Sequence, residues 1–437
     1  MQSRLIVKNF GPIKEVDLDL RNVNVFIGPQ ASGKSALAKL FTIFKAPRKF
    51  LKNGNAEANL KAFKDVLEEY NIQSFLMQDS EVEYLSELHN LSYKNGTFSY
   101  VPKLLNQIKK IERHGDSLDN NREKIYNELD SLSKQYLMFS MKFRDSMQEH
   151  AEQDTVSTGY DAEKVETHLN ITQTNFPDII KAIKDIETEL STNAVLYIPS
   201  ERNFINIVKN SALNLLLHKV PIPKHILLFG AELEKSSVNE IDLGFLSENL
   251  VYRKINGEDR IFTSTENSIR LGEAASGVQS AVPILLAVYN FDEAAINRHH
   301  SFVIEEPELN LFPEAQYELI KKLAAFRDEI RGGDWGQLHV YTTHSPYILS
   351  ALNILLYTNK VEKFLIDKSN STGEWYDVFN ERHSINIPPN FFSAYQIKDG
   401  GAESIFNIVT GLISDNYIDE ATDKMNDDFD ALMNLMK

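Results

Sequence analysis

The chain has 437 residues, 42% hydrophobic and 25% charged, enough for one large or two to three ordinary globular domains. Its 46 Lys and Arg against 62 Asp and Glu give a formal charge of −16, which disfavours broad binding to nucleic acid unless basic residues cluster locally. The absence of cysteine excludes disulfides and thiolate metal sites. Without a signal peptide or an apolar run long enough to span a membrane, we expect a cytoplasmic protein with no membrane partner.

The first 45 residues predict strands followed by a helix. The segments RLIVKNF (4–10) and VDLDL (16–20) alternate apolar and polar residues, which is typical of half-buried strands. The short apolar run VNVFI (23–27) is typical of a fully buried strand. A helical pattern begins at Lys34 and continues for about three turns. Its apolar positions are Leu37, Leu40, Phe41 and Phe44.

Between that strand and helix lies GPQASGKS (28–35), which satisfies the phosphate-loop pattern G-x-x-x-x-G-K-[ST]. Glycines permit the tight turn, and the backbone amides and helix N-terminus attract phosphate oxygens. We expect Lys34 to reach the β- and γ-phosphates and Ser35 to offer its hydroxyl to Mg²⁺. The alternative is a glycine-rich turn that matches by chance, but the flanking strand and helix favour a nucleotide site. The predicted nucleotide-binding residues are Gly28, Pro29, Gln30, Ala31, Ser32, Gly33, Lys34, Ser35 and Ala36.

Residues 46–192 are polar, highly charged and poor in strand signals, which predicts a helical insertion into a head formed by residues 1–45 and 193–437. A second helix is predicted to open at Pro177. The favoured interpretation is a helical lobe packed on the core, and a specialised coiled-coil arm is the alternative. A short heptad-like seam in the insertion contains Leu118, Ile125, Leu129, Leu132 and Tyr136.

From about residue 193 onward, apolar strands alternate with helical patterns, as in α/β layers. The strand FVIEEPE (302–308) ends in two carboxylates, and VYTTHSPY (340–347) places a histidine just after another strand. Ligands gather at the carboxyl ends of strands in open α/β sheets. We therefore assign Glu305 to Mg²⁺, Glu306 to activation of the attacking water, and His344 to a γ-phosphate oxygen. A solvated sheet edge and an ordinary loop histidine are the alternatives, which the phosphate loop disfavours.

The segment ASGVQ (275–279) stands directly ahead of a long apolar helical pattern. One interpretation is a plain helix N-cap at Ser276. The other is a second anion-binding surface, formed by the Ser276 hydroxyl, the Gly277 amide and the helix N-terminus. A second surface would mean that phosphate is held from two sides.

The order of these motifs resembles the ATPase heads of the ABC class, and more narrowly the RecF, SMC/Rad50 and OLD-like group. The segment LIVKNFGPIKEVDLDLRNVNVFIGPQASGKS (5–35) is similar to that group's N-terminal opening, and ASGVQ stands where its LSGGQ-type signature belongs. EEPELNLFP (305–313) is similar to the Walker B and D-loop segment of OLD-like members. FSAYQIKDGGAESIFNIVTGLI (392–413) resembles the tail of stand-alone bacterial ATPases of the AAA_15 and AAA_21 types.

This resemblance implies an α/β fold, a P-loop NTPase of ABC-ATPase type with a mixed sheet core, a helical insertion, and ATP and Mg²⁺ as cofactors. In the family, ATP lies between the phosphate loop of one subunit and the signature helix of another. The resemblance therefore implies that Ser276, Gly277 and Gln279 act in trans, in a homo-oligomer built on head-to-tail dimers. Two positions depart from the signature: Ala275 replaces its Leu and Val278 its second Gly.

Two further features of the family have only candidate residues in this chain. Gln73 and Gln78 are the candidates for a Q-loop. Arg202, in YIPSERN, resembles a recurrent position of the OLD-like group, and it could either approach phosphate or stabilise a turn. Neither assignment is decided by the sequence.

OLD-family nucleases append a Toprim domain, with a Glu and an Asp-x-Asp metal site, after the head. Only 93 residues follow His344 here (437 − 344), in which the segment KFLIDKSNSTGEW (363–375) supplies a lone Asp367 and the tail is an acidic amphipathic helix. We therefore expect ATP hydrolysis without nuclease activity. The first hypothesis is an ATPase subunit of a bacterial anti-phage system, similar to those of PARIS and Septu. It would control a separate effector protein, commonly a nuclease, after a DNA or phage-protein trigger.

The alternative is a DNA-repair or chromosome-maintenance ATPase of RecF/Rad50 type. That reading predicts a basic groove across the dimer and hydrolysis stimulated by DNA with strong salt dependence. A third class, the ATPase subunit of a membrane transporter, is disfavoured by the long insertion.

Overall fold

A computed structural model of the chain describes residues 3–51, 56–86, 89–102, 195–206, 214–215, 217–264, 267–290, 301–329, 338–368, 385–414 and 416–434. The strands in chain order are β1 (Ser3–Phe10), β2 (Ile13–Leu20), β3 (Val23–Ile27), β4 (Leu76–Leu85), β5 (His89–Lys94), β6 (Thr97–Pro102), β7 (Val195–Ile198), β8 (Glu240–Asp242), β9 (Val251–Ile255), β10 (Glu258–Phe262), β11 (Ser268–Arg270), β12 (Ser301–Glu305), β13 (His339–Thr342), β14 (Phe392–Lys398), β15 (Gly401–Ser404), β16 (Phe406–Asn407) and β17 (Leu412–Ile413). The helices are α1 (Lys34–Lys45), α2 (Ala56–Glu69), α3 (Lys224–Glu234), α4 (Ser276–Tyr289), α5 (Pro313–Glu329), α6 (Pro346–Lys368) and α7 (Tyr417–Asn434).

The central sheet is mixed, with the strand order β15-β14-β3-β13-β12-β7. Strands β14, β3, β13, β12 and β7 are parallel, and β15 adds an antiparallel edge. Every residue of β3, β7, β12 and β13 is buried, which explains why these strands read as continuous apolar runs instead of alternating patterns. This sheet and its helices are the predicted α/β architecture.

Two hydrophobic cores lie on opposite faces of the central sheet, because successive side chains of a strand point to opposite sides. Val25 and Ile304 belong to the core that contains apolar residues of α4, α5 and α6. Their neighbours Phe26 and Val303 belong to the other core, which α1 and the N-terminal strands complete. Each face of the sheet is therefore covered, which leaves the strand ends as the place for a polar site.

Residues 76–102 form three strands, although the sequence predicted a helical insertion from residue 46. These strands join the first two in an antiparallel sheet with the order β2-β1-β4-β5-β6. In β4, buried Val82 and Tyr84 alternate with Glu81 and Glu83, so charged outward residues obscured a strand pattern of period two. This part of the predicted insertion therefore belongs to the head. The predicted seam at 118–136 and the predicted helix at Pro177 lie outside the described residues.

The helix α2 packs against both α1 and the antiparallel sheet through an aromatic cluster. Phe63 of α2 is fully buried, and its ring centroid lies 5.1 to 5.8 Å from those of four aromatic neighbours. Ring pairs at such separations add to the free energy gained by burying their area. The neighbours are Phe44, Phe50, Tyr93 and Phe98.

The carboxyl ends of the parallel strands lie along one edge of the central sheet. The phosphate loop follows β3, Glu306 follows β12, and His344 lies two residues past β13. The turn Ser200–Asn203 comes after β7 on the same edge. The topology thus collects the predicted site residues of four strands in one place. Among the described residues, no helix is long and apolar enough to cross a membrane.

Candidate nucleotide-binding site

The phosphate loop turns sharply between β3 and α1, and its two glycines sit where a side chain would not fit. Gly33 caps α1 with φ +106°, and a Cβ there would collide with the side chain of Ile13. A Cβ on Gly28 would strike the carbonyl oxygen of Ile397 on β14. The loop is therefore held between β2 and β14, while Ser35 at the start of α1 remains exposed.

Lys34 lies folded back against the loop that precedes it. Its Nζ donates hydrogen bonds to the carbonyl oxygens of Gly28 and Pro29, both at 2.8 Å. Burial lowers the pKa of Lys34 to about 8, although the nearby Glu306 and Glu305 carboxylates act in the opposite direction. Burial thus disfavours the charged ammonium group, and a phosphate group bound in the loop would stabilise its charge.

Glu305, the last residue of β12, is the candidate for the metal site. Its side chain is buried, and its Oε2 atom lies 3.5 Å from the Ser200 hydroxyl, which donates to it. Its Oε1 atom is buried without a hydrogen-bond partner in the described part of the chain. A buried carboxylate oxygen left without a donor fits the needs of Mg²⁺ or one of its waters, since this ion prefers oxygen ligands.

Glu306 follows in a strained backbone conformation with φ +42°, and its amide donates to the Thr342 carbonyl oxygen at 2.9 Å. The positive φ turns this half-buried side chain away from the line of the strand. Burial raises the pKa of its carboxyl, and the Glu305 charge raises it further, while Arg202 and Lys34 act against the rise. A raised pKa moves a carboxylate towards the range in which it accepts protons effectively at neutral pH.

His344 lies beside Glu306, and its predicted role towards a γ-phosphate oxygen stays a prediction. Its Nε2 atom is 3.9 Å from Glu306 Oε1, and its Nδ1 atom is 3.4 Å from the hydroxyl of Tyr417. Burial lowers the pKa of the imidazole, and the Lys34 charge lowers it further. The ring is therefore mostly neutral at pH 7, with one nitrogen able to donate and the other to accept a hydrogen bond.

Glu308 is a member of this site that the sequence alone did not single out. Its Oε1 atom accepts hydrogen bonds from the Thr343 hydroxyl at 2.7 Å and from the His344 amide at 2.8 Å. These bonds join the segment after β12 to the segment after β13. The only signal in the sequence was a third glutamate in EEPE, without any indication of its partner.

Arg202 stabilises the acidic turn through backbone oxygens, and among the described residues it makes no side-chain ion pair. The side chain has no exposed surface, and burial lowers its pKa to about 10. It donates at 2.7 Å to the carbonyl oxygens of Glu305 and Glu306. Further bonds reach the carbonyl oxygen of Pro199 and both the carbonyl oxygen and hydroxyl of Ser280. An arginine has five N–H donors, so all are used and none is left for a phosphate.

The signature segment opens α4, but Ser276 is not the helix cap. Ala275 occupies the N-cap position, no side chain caps the helix, and Ser276 is exposed. The Gln279 side chain instead folds back and donates to the carbonyl oxygens of Ala274 at 2.8 Å and Gly272 at 3.2 Å. The structure thus disagrees with the N-cap interpretation, and it shows that Gln279 supports the turn in its own chain.

Gly277 lies against the segment that follows the acidic turn. A Cβ at this position would stand 2.7 Å from the carbonyl oxygen of Asn310, too close for any larger residue without movement. The start of α4 and the segment 308–312 are consequently packed together. The Q-loop candidates Gln73 and Gln78 are both exposed, and they stay predictions.

A phosphate loop at the end of one parallel strand, flanked by strand ends that carry carboxylates and a histidine, defines an α/β P-loop ATPase. The chain belongs to the AAA_15 family, described as AAA ATPase domain, which matches residues 1–349. No curated protein matches the sequence.

Three solved structures are similar to the chain over most of its length. The SMC head bound to the C-winged helix domain of ScpA is 8% identical with a TM-score of 0.38, over 92% of this chain and 96% of that one. The SMC head domain from Thermotoga maritima is 10% identical with a TM-score of 0.37, over 92% and 98%. An SMC head with an extended coiled coil, bound to a ScpA domain derived from Pyrococcus furiosus, is 11% identical with a TM-score of 0.35, over 92% and 95%.

We expect Arg202→Met to lower the free energy of unfolding by about 3–5 kcal/mol, because it leaves several buried carbonyl oxygens without donors. Chemical denaturation measures the loss. The matched control is Arg253→Met, whose ion pair with Glu240 is solvent-exposed and should leave the unfolding midpoint nearly unchanged. Equal stability of the Arg202 variant and the control would contradict the stabilising role of Arg202.

Proposed function

We propose that this ATPase is of the ABC type, depends on Mg²⁺, assembles through composite ATP sites, and controls a separate nuclease effector in bacterial anti-phage defence. The observation that carries the catalytic part is the convergence of Lys34, Glu306 and His344 at one edge of the sheet. The composite site is supported by the exposed signature segment and the effector by the exposed apolar residues of α7, while the defence role follows from the sequence resemblance to ATPase subunits of anti-phage systems.

The reaction is hydrolysis of ATP to ADP and phosphate. Lys34, poorly solvated and close to three carboxylates, would leave its loop carbonyls for the β- and γ-phosphates. Glu306 would accept a proton from the attacking water, and His344 would donate a hydrogen bond to a γ-phosphate oxygen. Ser35 and Glu305 would hold Mg²⁺, which when bound neutralises charge on the phosphates.

The exposure of the signature segment supports a site completed by a second copy. Ser276 makes no side-chain hydrogen bond within the described part of the chain, and it stands at a helix N-terminus that no side chain caps. Gln279 meanwhile holds this turn in a fixed shape. The backbone amides of such a preformed, uncapped helix start can donate hydrogen bonds to a phosphate oxygen bound by a neighbouring molecule. Phe312, two residues after the Asn310 that packs against Gly277, is 85% exposed and is a further apolar side chain available to a partner.

The C-terminal helix α7 offers a surface for the effector. Its exposed apolar residues recur at helical spacing and so lie on one face, with the exposed Asp428 at the border of that face and the exposed Asp427 on the opposite side. An apolar stripe among acidic residues suits a partner with an apolar groove and a basic rim. The overall charge of −16 also favours such a partner over a phosphate backbone. The exposed apolar residues are Met425, Phe429, Leu432 and Met433.

Glu306→Gln should bind ATP with nearly unchanged affinity while turnover falls by about 10²–10⁴, because the amide cannot accept the proton of water. Lys34→Ala should instead lose ATP binding, since it removes the cation that faces the phosphates. Binding is measured by titration calorimetry and turnover by phosphate release. Glu314→Gln, an exposed carboxylate on α5, is the matched control. Normal turnover of the Glu306 variant would remove it from the catalytic role.

Mixing inactive variants tests the composite site. Lys34→Ala lacks a working phosphate loop and Ser276→Arg a working signature, so each is expected to be inactive alone. In a head-to-tail dimer one of the two sites of a mixed pair is intact, which restores up to about a quarter of wild-type turnover. Ser247→Arg, at another exposed serine, controls for the added charge. A mixture as inactive as its components would contradict action in trans.

The defence role is tested in cells that carry this gene together with its genomic neighbour. We expect fewer phage plaques with the intact pair, and loss of protection with Lys34→Ala or without the neighbouring gene. Protection that survives the Lys34 change would contradict control by ATP. If purified protein instead shows hydrolysis stimulated by DNA, with a steep salt dependence, the repair-type alternative replaces the defence role.

A further inference from the structure

The C-terminal helix reaches into the nucleotide site through its first residue. The hydroxyl of Tyr417 lies 3.4 Å from His344 Nδ1, on the opposite side of the imidazole from Glu306. The backbone of Gly28, in the phosphate loop, is a further hydrogen-bonding partner of this hydroxyl. Burial raises the pKa of Tyr417, so the group remains a neutral hydroxyl at pH 7. Tyr417 is 73 residues beyond His344 in the chain.

The first turn of α7 is held firmly where the tyrosine enters. The Tyr417 amide donates to Gln396 Oε1 at 2.8 Å, and Gln396 is the residue of β14 paired with Ile27 at the end of β3. Asn416 and Asp419 cap the helix start through bonds of 2.9 and 3.0 Å. The strand next to the phosphate loop thus fixes the position of the tyrosine ring.

We infer that Tyr417 is a positioning residue, which orients the His344 imidazole through Nδ1 and makes the rate of hydrolysis depend on the seating of α7. This inference rests on the catalytic role proposed for His344. The group bonded at one ring nitrogen determines which nitrogen carries the proton, and thereby what the Nε2 atom can offer beside Glu306. A separation of 3.4 Å is long, but such bonds commonly shorten when substrate binds.

The same helix carries the acidic apolar face proposed for the effector, on residues 425–433. A helix is stiff along its axis, and this face begins only two turns beyond Tyr417. Movement of α7 by a bound partner would therefore change the contact at His344. The partner and the catalytic imidazole would be connected by one helix.

The test uses the full-length protein and the variant Tyr417→Phe, which keeps the ring and its packing and removes only the hydroxyl. We expect kcat to fall about fivefold or more, because the imidazole loses the bond that orients it, while the KM for ATP stays within about twofold. A larger rise in KM would instead point to the bond between the hydroxyl and the Gly28 backbone. Tyr357→Phe, at an exposed tyrosine of α6, is the control and should match wild type. Unchanged kcat in the Tyr417 variant would overturn the inference.

A double-mutant cycle separates positioning from a merely structural effect. With His344→Ala as background, Tyr417→Phe should cause no further loss of the single-turnover rate, measured with excess enzyme over hours. The same fold-loss in both backgrounds would assign Tyr417 a structural role and overturn the inference. Wild type and Glu306→Gln are measured alongside. Equal rates in those two would overturn the proposed catalytic site itself, which is a result distinct from failure at Tyr417.

Discussion

The buried guanidinium of Arg202 is the interaction on which the rest of the site depends. The acidic turn has to present two adjacent carboxylates, and Glu306 adopts a left-handed conformation that costs free energy. Arg202 offsets that cost by bonding the carbonyl oxygens of both glutamates. Because the same side chain also bonds Ser280, the acidic turn and α4 are held in one arrangement. The acidic turn and the helix that carries the signature segment are therefore fixed relative to each other.

The balance of buried charges at the end of β12 is a second constraint on the site. Three glutamates crowd the end of β12, and Lys34 and Arg202 are the buried cations that act on their carboxylates. The donors of Arg202 are all used by four carbonyl oxygens and the Ser280 hydroxyl, so of these two cations Lys34 is the one free to change partners when a phosphate binds. Burial of Lys34 and the unpartnered Glu305 Oε1 atom both describe a site that is electrostatically incomplete in the protein alone. Under the proposed function, the nucleotide phosphates would pair with Lys34 and their cation with Glu305.

The sequence predicted those parts of the candidate site that lie in short contiguous segments, namely the phosphate loop and the ends of two strands. GPQASGKS carries its loop, helix and lysine together, and apolar runs that end in EE or TTH mark the edge of the sheet. Prediction from local patterns was wrong for β4, because its outward glutamates made a strand look like part of a charged helical insertion. They could not show the bonds of Arg202 to residues about 100 positions away, or the contact of Tyr417 with His344. Those contacts exist only after the sheet has ordered its strands.

The packing of Gly277 against Asn310 connects the two faces of this site. The segment after the acidic turn begins at Glu308, which holds the His344 amide, and it ends against the start of α4. A shift at the signature surface would therefore be transmitted through this segment to the backbone of His344, while a shift of α7 would reach its imidazole. Packed elements move between discrete arrangements instead of deforming continuously. Under the proposed function, a second copy of the chain would act on the His344 backbone amide and an effector on its imidazole.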